Sequence, residues 1–539
     1  MPARADPADP YGTGALRSAA LATWTSSPAR FREDANAEEA LSRGYTGRVL
    51  VELAANAVDA ARQIGDLAAI RISLHRSTSG SETVQELRIA NTGAPLTPAG
   101  VGALASLRAS AKRDSAAMVG HFGVGFTAVL AVSSSPSVVS TDGGVTFSAD
   151  RTSESVAALG IPELDSELAA RDGVVPTLRL CWPVADAEPV PTGYTTEVRL
   201  PLNSGLDGDL LLQQWGHDVV DHLFWALPGL QQVDVEGRIV TRRVVGDHRV
   251  ELDDSADGTT GFTVVNRAGE LPAELLGRLP VEERGRIGWQ VSWVLPDHLL
   301  AEPSALCAPT PTTEMLGFPA RLVGTFEVDE TRRHLANSPV DDYLLDRAAA
   351  AYLDLVGAVP ADRRDELVPD SGFPASEVDG RLRAAVLRSW RLSPLLLTAI
   401  GETVSPADAA MVRGIDVATA TLLAEAIPGL LPAPESARSA AAMRTLEIHE
   451  LTIGEAVEAA GSLSRPPAFW RRLYDGLTSM DPAALAGVPV PLADGRQVIG
   501  VRGSLLPDAS AAPLAARAAA LLSGLRVVHP DAVHPLLQR

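Results

Sequence analysis

The residues of this chain best suited to chemistry lie within one short segment. Glu52, Asn56 and Asp59 stand at i, i+4 and i+7 in the stretch ELAANAVDA. At about 100° per residue, one helix presents all three side chains on a single face. On that face Glu52 could activate a water as a general base, and the Asn56 amide could supply an oxygen ligand to Mg²⁺. An ordinary amphipathic helix with exposed polar residues explains this segment equally well when it is taken alone.

Two glycine-containing segments follow this helix along the chain. The first, Asn91-Thr-Gly93, comes after a predicted strand and before a predicted helix, so we expect a tight turn. It could place Asn91 on the edge of a base and leave room for the ring at Gly93. The alternative is an ordinary turn, because Asn and Gly are the usual turn residues.

The second segment, GHFGVGF, carries Gly120, Gly123 and Gly125 ahead of an apolar helix. Free backbone N–H groups and a helix N-terminus at this point suit anionic oxygens. It is not a Walker loop, because the terminal Gly-Lys-Ser/Thr is missing, and it lacks the strand-turn-helix frame of a dinucleotide fingerprint. We expect phosphate contacts here, with Phe122 and Phe126 packing inward.

Lys112 stands between the two glycine segments and is the only lysine among 46 basic residues. An ammonium is a compact, rotatable charge often used on phosphate, whereas a guanidinium is a planar fork. We therefore consider Lys112 a candidate phosphate contact or catalytic partner. The alternative is a solvated lid residue without such a role.

Periodicity and turn residues predict the elements that position these segments. Thr97-Pro98 begins a helix by the rules of N-capping, and a further helix follows Gly125. Strands with helices on one side indicate an α/β sandwich, and the chain becomes mostly helical from residue 341. The other predicted elements are a helix over 37–64, strands over 70–75, 86–90, 137–140, 145–149, 178–182 and 196–201, and a β-hairpin over 488–501.

Composition limits the class of protein. With 539 residues the chain is too long for one hydrophobic core, and its 46% hydrophobic and 21% charged residues indicate a globular protein. The net charge of −21, from 46 basic and 67 acidic residues, argues against a nucleic-acid partner, which needs clustered Lys and Arg. Two distant cysteines, Cys181 and Cys307, predict reduced thiols in a cytoplasmic protein. The first 14 residues are polar, and no apolar run reaches the roughly 18 residues needed to span a bilayer. We therefore expect no membrane partner.

The order and spacing of the three segments resemble the GHKL nucleotide-binding superfamily, in particular its ninety-kilodalton heat-shock chaperone and sacsin branches. The resemblance covers about residues 40–202 and implies a Bergerat-type α/β sandwich with a mixed sheet that binds ATP and Mg²⁺. It makes Glu52 the general base, Asn56 the Mg²⁺ ligand and Asp59 the second acid of the same motif. The other implied nucleotide contacts are Asn91 and Gly93 at adenine, Thr196 on the strand behind adenine, Lys112 in a flexible lid, and Gly120, Phe122, Gly123, Val124, Gly125 and Phe126 in the phosphate-binding glycine segment.

A fainter resemblance to sacsin-type repeats covers short segments between residues 308 and 335. In related GHKL ATPases the second domain lends a basic residue to the γ-phosphate. Arg332 or Arg333 could be that catalytic residue here, or could form a structural salt bridge. The pattern of predicted elements, taken with the resemblance, divides the chain into an N-terminal arm (1–35), an ATP-binding domain (36–202), a transducer-like α/β domain (203–345) and a mainly helical region with a small β-hairpin (346–539).

One position departs from the family pattern. Where the family has an aspartate at adenine, this chain has the neutral Asn91. Hydrogen bonds to charged groups contribute about 1.5–3 kcal/mol and neutral ones about 0.5–1.5 kcal/mol, so affinity should fall several-fold. Asn91 could accept from adenine N6, or donate to adenine N1 or to guanine O6, which leaves the base selectivity open. Pro95 replaces the second glycine of this turn and should stiffen the entrance to the lid.

By resemblance we expect an ATP-binding, ATP-hydrolysing protein with a chaperone-like cycle, in which the nucleotide state drives lid closure. The implied partners are nucleotide, client proteins and a second copy in a homodimer. A nucleotide-gated switch or scaffold with little or no ATPase activity is the first alternative, and the neutral Asn91 favours it. A DNA-acting GHKL ATPase is the second alternative, and the acidic balance of the chain opposes it.

Overall fold

A computed structural model describes residues 8–44, 48–79, 82–106, 125–184, 186–279, 284, 287–298, 300, 302–308, 310–329, 333–481, 485–507 and 524–538. The chain forms two compact units. The first comprises Met1–Leu299, Ala305–Met315 and Ala320–Ala348, and the second Leu300–Ser304, Leu316–Pro319 and Ala349–Arg539. The four-part division of the chain stays a prediction.

The first unit is built on one large sheet of 14 strands. The strands are β1 (Ala68–Ser79), β2 (Glu82–Asn91), β3 (Ser137–Ser140), β4 (Gly143–Thr146), β5 (Trp182–Pro183), β6 (Thr196–Pro201), β7 (Leu230–Val235), β8 (Arg238–Val244), β9 (Arg249–Asp254), β10 (Gly258–Glu270), β11 (Gly288–Pro296), β12 (Ser304–Ala308), β13 (Thr310–Leu316) and β14 (Arg321–Gly324). They lie in the order β13-β12-β14-β11-β10-β9-β8-β7-β1-β2-β6-β3-β4-β5.

Parallel and antiparallel neighbours both occur in this sheet. β1 pairs parallel with β7, whereas β2 pairs antiparallel with β1 and with β6. The predicted α/β class with a mixed sheet is therefore confirmed. β7 belongs to the predicted transducer-like domain (203–345), and it lies beside β1 of the predicted ATP-binding domain (36–202). The sheet therefore continues across the predicted boundary at residue 202.

Ten α-helices begin within the described residues of the first unit. They are α1 (Thr13–Ser26), α2 (Pro28–Gly44), α3 (Val49–Gln63), α4 (Pro98–Leu104), α5 (Ala149–Ala157), α6 (Pro162–Ala170), α7 (Gly208–Asp218), α8 (Phe224–Ala226), α9 (Ala273–Leu276) and α10 (Pro339–Ala358). The segment predicted as an N-terminal arm contains α1 and the start of α2. It contributes the fully buried Trp24 and Phe31 to an apolar cluster that also includes Val156 and Leu164.

The core of this unit forms where α3 packs on β1 and β2. Ile72 lies opposite Ile89, and Leu74 lies opposite Leu87, so the alternating apolar side chains cover one face of the two strands. These four residues and the buried side of α3 belong to one apolar cluster. The pattern of the sequence therefore determines which face of these strands is covered by a helix.

Several predicted elements differ in the structure. The helix predicted over 37–64 is interrupted: α2 ends at Gly44, Arg48 is not helical, and α3 begins at Val49. The helix after Gly125 is a 3₁₀-helix, Gly125–Ala131. The helix predicted at Thr97 is confirmed as α4, whose N-cap hydroxyl accepts from Gly100 N at 3.1 Å.

The strand predicted over 178–182 is wrong for most of its length. Glu38 of α2 reaches this segment, and its carboxylate accepts from Thr177 N at 2.5 Å and from Leu178 N at 3.0 Å. Because these N–H groups bind a side chain, they are not donors to a neighbouring strand. Thr177–Arg179 forms a 3₁₀-helix instead, and only Trp182–Pro183 joins the sheet.

We expect Glu38 to make folding dependent on pH. Burial raises the pKa of Glu38 from 4.5 to about 8, against the lowering effect of the hydrogen bonds from Leu178 and Thr177. Because the folded-state pKa exceeds the unfolded one, the stabilisation is complete below about pH 4.5 and is lost as the pH rises through 8. The free energy of unfolding should fall by about 1.4 kcal/mol per pH unit at most within that window.

Urea unfolding at a series of pH values measures this slope. Glu38→Gln keeps the shape of the side chain and does not titrate, so stability should fall less steeply with pH in the variant than in the unchanged protein. The same slope in both proteins would contradict the assignment to Glu38.

The second unit has short strands among helices. Its strands are β15 (Leu396–Leu397), β16 (Thr403–Val404), β17 (Ala410–Val412), β18 (His449–Leu451), β19 (Pro489–Pro491) and β20 (Gln497–Ile499), and its helices are α11 (Glu377–Trp390), α12 (Val417–Leu423), α13 (Ala437–Thr445), α14 (Ile453–Ala460) and α15 (Pro467–Gly476). Trp470, Leu473 and Tyr474 of α15 are fully buried in its core. The antiparallel pair β19 and β20 confirms the hairpin predicted over 488–501.

Across the described ranges, every helix is too short or too polar to cross a bilayer.

Candidate functional site

Helix α3 carries the first three predicted residues. Its sequence, rich in Ala, Leu and Val, is mostly buried, with ten buried residues out of 15. Glu52 and Asn56 are half-buried, whereas Asp59 is only 2% exposed and its Oδ1 lies 4.0 Å from Arg62 Nη1. Glu52 and Asn56 therefore share the accessible side of the helix, and Asp59 lies in the interior.

The Glu52 carboxylate lies between a cation and a glycine. Its Oε1 is 4.0 Å from Arg48 Nε, and both side chains are largely buried, at 13% and 9% exposure. On the other side, Gly125 is so close that an added Cβ would overlap Glu52 Oε2 and stand 3.3 Å from Glu52 Cδ. An alanine at 125 would therefore require the Glu52 carboxylate to move from its observed position.

Gly93 makes the second close contact with α3. Its φ of +113° is a backbone conformation that side-chain-bearing residues rarely adopt, and an added Cβ would stand 2.5 Å from the backbone C of Ala60 and N of Ala61. Ala94 N also donates to Ala60 O at 2.9 Å. The turn after β2 is therefore held directly against the last turns of α3.

One helix thus contacts both predicted glycine segments. Gly125 lies beside Glu52, and Gly93 lies beside Ala60, eight residues further along the helix. At 1.5 Å per residue, these contacts are about 12 Å apart, with Asn56 midway between them. The arrangement suits an elongated ligand that meets Gly93 at one end and Glu52 at the other.

Three polar side chains lie in a row across the sheet at the Gly93 end. Asn91 of β2 is paired with Thr196 of β6, which is paired in turn with Ser140 of β3. The Ser140 hydroxyl lies 3.1 Å from Thr196 Oγ1 and accepts from Leu96 N at 3.0 Å. Paired residues point to the same face of a sheet, so this row continues the apolar face on which α3 packs.

The Asn91 side chain is oriented by the backbone of the next residue. Nδ2 donates to the carbonyl of Thr92 at 2.7 Å. The backbone carbonyl of Asn91 accepts from Thr195 N at 2.9 Å and from Thr195 Oγ1 at 3.1 Å. One Nδ2 hydrogen is engaged in this way, so Asn91 can offer a ligand its Oδ1 as an acceptor and its second N–H as a donor.

Part of the predicted phosphate-binding segment can be located. Phe126 is buried and packs against Phe147 with 5.9 Å between ring centroids, as predicted for an inward-packing residue. Gly125 begins the 3₁₀-helix beside Glu52. The remaining predicted contacts of this region lie outside the described residues, namely Lys112, Gly120, Phe122, Gly123 and Val124.

Of the two basic residues predicted from the second resemblance, only the position of Arg333 can be described. Arg332 lies outside the described residues. Arg333 is exposed, and its backbone carbonyl accepts from Thr313 N and Oγ1, both at 2.8 Å. Thr313 belongs to the edge strand β13, eight positions along the sheet from β1, or about 38 Å at 4.8 Å per strand. This position gives no support to a catalytic role for Arg333.

Arg48 and Ser140 belong to the site but were not predicted. Arg48 stands one helical turn before Glu52, and that spacing of opposite charges could have indicated it. Ser140 carries no such signal, because its place beside Thr196 depends on how β3 and β6 pair.

A metal site made of side chains alone is not found in the part of the chain that the structure describes: no three His, Cys, Asp or Glu residues are grouped to hold an ion. Neither a known protein-family model nor a curated protein sequence gives a significant match to the chain.

Proposed function

We propose that this protein binds ATP along α3 and hydrolyses it with Glu52 as the general base. The observation that carries the proposal is the double contact of α3, with Gly93 packed on its backbone at one end and Gly125 against the Glu52 carboxylate at the other. The order of the three segments along the sequence, which resembles the GHKL superfamily, is the second support. A chaperone-like cycle with client proteins stays a prediction from that resemblance.

In this proposal the two ends of the site have different tasks. The nucleobase of ATP lies at the row formed by Asn91, Thr196 and Ser140, and the phosphates lie towards Gly125. Glu52, which is 13% exposed, orients the attacking water and accepts its proton. Asn56 fits a Mg²⁺ ion that is shared with the phosphates, since Mg²⁺ needs few protein ligands when substrate oxygens complete its shell. Bound Mg²⁺ would neutralise charge on the phosphates.

The Asn91 amide should make the site selective for adenine. One Nδ2 hydrogen binds Thr92 O, and we infer that Oδ1 rather than the second N–H is turned to the nucleobase as an acceptor. Adenine offers its N6 amino group as a donor, whereas guanine offers the O6 acceptor, which would leave two acceptors facing each other. An unsatisfied buried polar group costs about 1–3 kcal/mol, so ATP should bind about 10-fold or more tightly than GTP.

Calorimetric titrations with ATP and GTP test this selectivity. Asn91→Ala removes the acceptor and should reduce the ratio of the two affinities to near unity. Equal affinities of the unchanged protein for ATP and GTP would contradict the proposed orientation of Asn91.

The proposal as a whole is tested by titrating the full chain with ATP and ADP, with and without Mg²⁺. We expect heat from both nucleotides and tighter binding of ATP with Mg²⁺ present. If neither nucleotide gives heat under any condition, the proposed function is refuted.

A nucleotide-gated switch without useful hydrolysis is the second candidate. The observation that favours it is Arg48, which lies 4.0 Å from Glu52 in a largely buried pair. A cation held beside the carboxylate competes with water for it. Phosphate release measured on protein that binds ATP separates the two candidates, because the switch would bind without turnover.

A further inference from the structure

The second unit exposes one aromatic side chain completely. Phe373 lies between α10 and α11 in the segment Ser371-Gly-Phe-Pro374, and its side chain is fully exposed. Single exposed apolar side chains are ordinary on protein surfaces, but an exposed aromatic ring can anchor a partner that supplies a pocket for it. Phe373 is therefore a candidate anchor for a partner.

The backbone that carries Phe373 is held on both sides by a buried ion pair. Asp379 is fully buried and lies 2.8 Å from Arg383 Nη2. Arg383 Nη1 donates to Asp370 O at 2.8 Å and to Gly372 O at 3.2 Å, before the phenylalanine. Asp379 Oδ2 accepts from Ala375 N at 2.8 Å, after it. A side chain on a fixed backbone loses less conformational entropy on binding than one on a loose loop.

The same unit carries a cavity of about 200 Å³. It lies between β17, β18 and α13, and its apolar lining includes Met411, Met443 and Ile448. Methionine side chains adapt to aromatic rings and make favourable sulfur contacts with them. Because cavities of about 150 Å³ can hold benzene, the volume is sufficient for a phenyl ring.

The charges around the two features are complementary. Asp370 and Glu377, both exposed, flank the Phe373 segment. Arg413 and Arg444 are exposed at the cavity, and Glu450 offsets part of this charge through its 2.6 Å pair with Arg413. An acidic segment with an apolar tip thus matches an apolar cavity with a net basic rim.

We propose that Phe373 of one chain enters the cavity lined by Met411 and Met443 of a second copy. Every copy carries both the anchor and the cavity, so the contact joins unlike surfaces of identical chains. Such a contact can continue from copy to copy rather than stop at two. The inference is independent of the proposed nucleotide site.

Sedimentation velocity of the full chain over about 1–100 µM tests the proposal, because a contact this small is expected to be weak. The unchanged protein should form larger species as concentration rises. Phe373→Ala should weaken association at least about 10-fold, since anchoring aromatic residues dominate such contacts. Leu392→Ala is the matched control, because Leu392 is a 76% exposed apolar residue of the same unit outside the cavity lining, and it should change nothing.

Mixing two variants distinguishes this contact from other modes of assembly. Met443→Glu blocks the cavity but keeps the anchor, whereas Phe373→Ala keeps the cavity. Neither variant should associate alone, and a mixture should form one-to-one pairs and nothing larger. Arg444→Glu, at an exposed position, is a second cavity variant should Met443→Glu fail to fold. A monomeric unchanged protein, undiminished association of Phe373→Ala, or no pairing between folded partners would each overturn the proposal.

Discussion

Glu52→Ala is expected to lower the rate of phosphate release by about 10²–10⁴-fold and to leave ATP binding in place. The carboxylate is the only general base that the proposed site offers among its described residues, and it lies at the Gly125 end of α3. Removing it takes away the group that accepts the proton of the attacking water. The substitution does not change the row of Asn91, Thr196 and Ser140, which would hold the nucleobase of ATP.

Two measurements separate this loss of turnover from a loss of binding. Phosphate release and calorimetric ATP binding should be compared for the unchanged protein, Glu52→Ala and the isosteric Glu52→Gln. Glu163→Gln, on the exposed surface of α6, is a control for removal of an acid elsewhere in the same unit. Turnover that survives in both Glu52 variants would exclude Glu52 as the base, whereas loss of binding in both would show that its role is structural.

Gly93→Ala is expected to destabilise the first unit by about 4 kcal/mol and to abolish nucleotide binding. Two costs add at this position. The φ of +113° is unfavourable for alanine, at about 1–3 kcal/mol, and the added Cβ would stand 2.5 Å from backbone atoms of Ala60 and Ala61. Because these are backbone atoms of a buried helix, they cannot move aside as a flexible side chain would, and overpacking costs a further 1–3 kcal/mol or so.

A nearby glycine provides a matched control. Gly65, just after α3, also has a positive φ, +73°, but an added Cβ there would meet nothing within 4 Å. Gly65→Ala should therefore cost about 1 kcal/mol, from backbone conformation alone. Urea unfolding of the two variants isolates the steric contribution of the contact between Gly93 and α3. Equal destabilisation of both would mean that the turn is not packed on the helix as described.

Features that depend on neighbouring residues were predictable from the sequence. The alanine-rich pattern around Glu52 predicts α3, Thr97-Pro98 predicts the start of α4, and Asn91-Thr-Gly93 predicts a turn. In each case the deciding interactions span only a few residues along the chain. Helix propensity, a capping hydroxyl and the conformational freedom of glycine are local properties.

Features that depend on long-range pairing were not predictable. The strand predicted over 178–182 was lost because Glu38, about 140 residues away, binds the N–H groups of Thr177 and Leu178. A sequence pattern contains no record of which distant carboxylate will be buried against a backbone. Likewise, Arg333 follows a plausible motif but lies at the far edge of the sheet, where strand order rather than spacing places it.

By itself, the sequence determined that Glu52 and Asn56 lie one turn apart on a helix, and that a turn occurs at Asn91-Thr-Gly93. Only the tertiary structure decided that Gly125 meets Glu52, that Gly93 meets Ala60, and that Asp59 is buried. The same holds for the row of Asn91, Thr196 and Ser140, because β6 lies between β2 and β3 in the sheet although it follows both in the chain. The physical reason is that helix spacing follows from backbone geometry, whereas these contacts follow from the order and register in which strands pair and from how the helix packs on them.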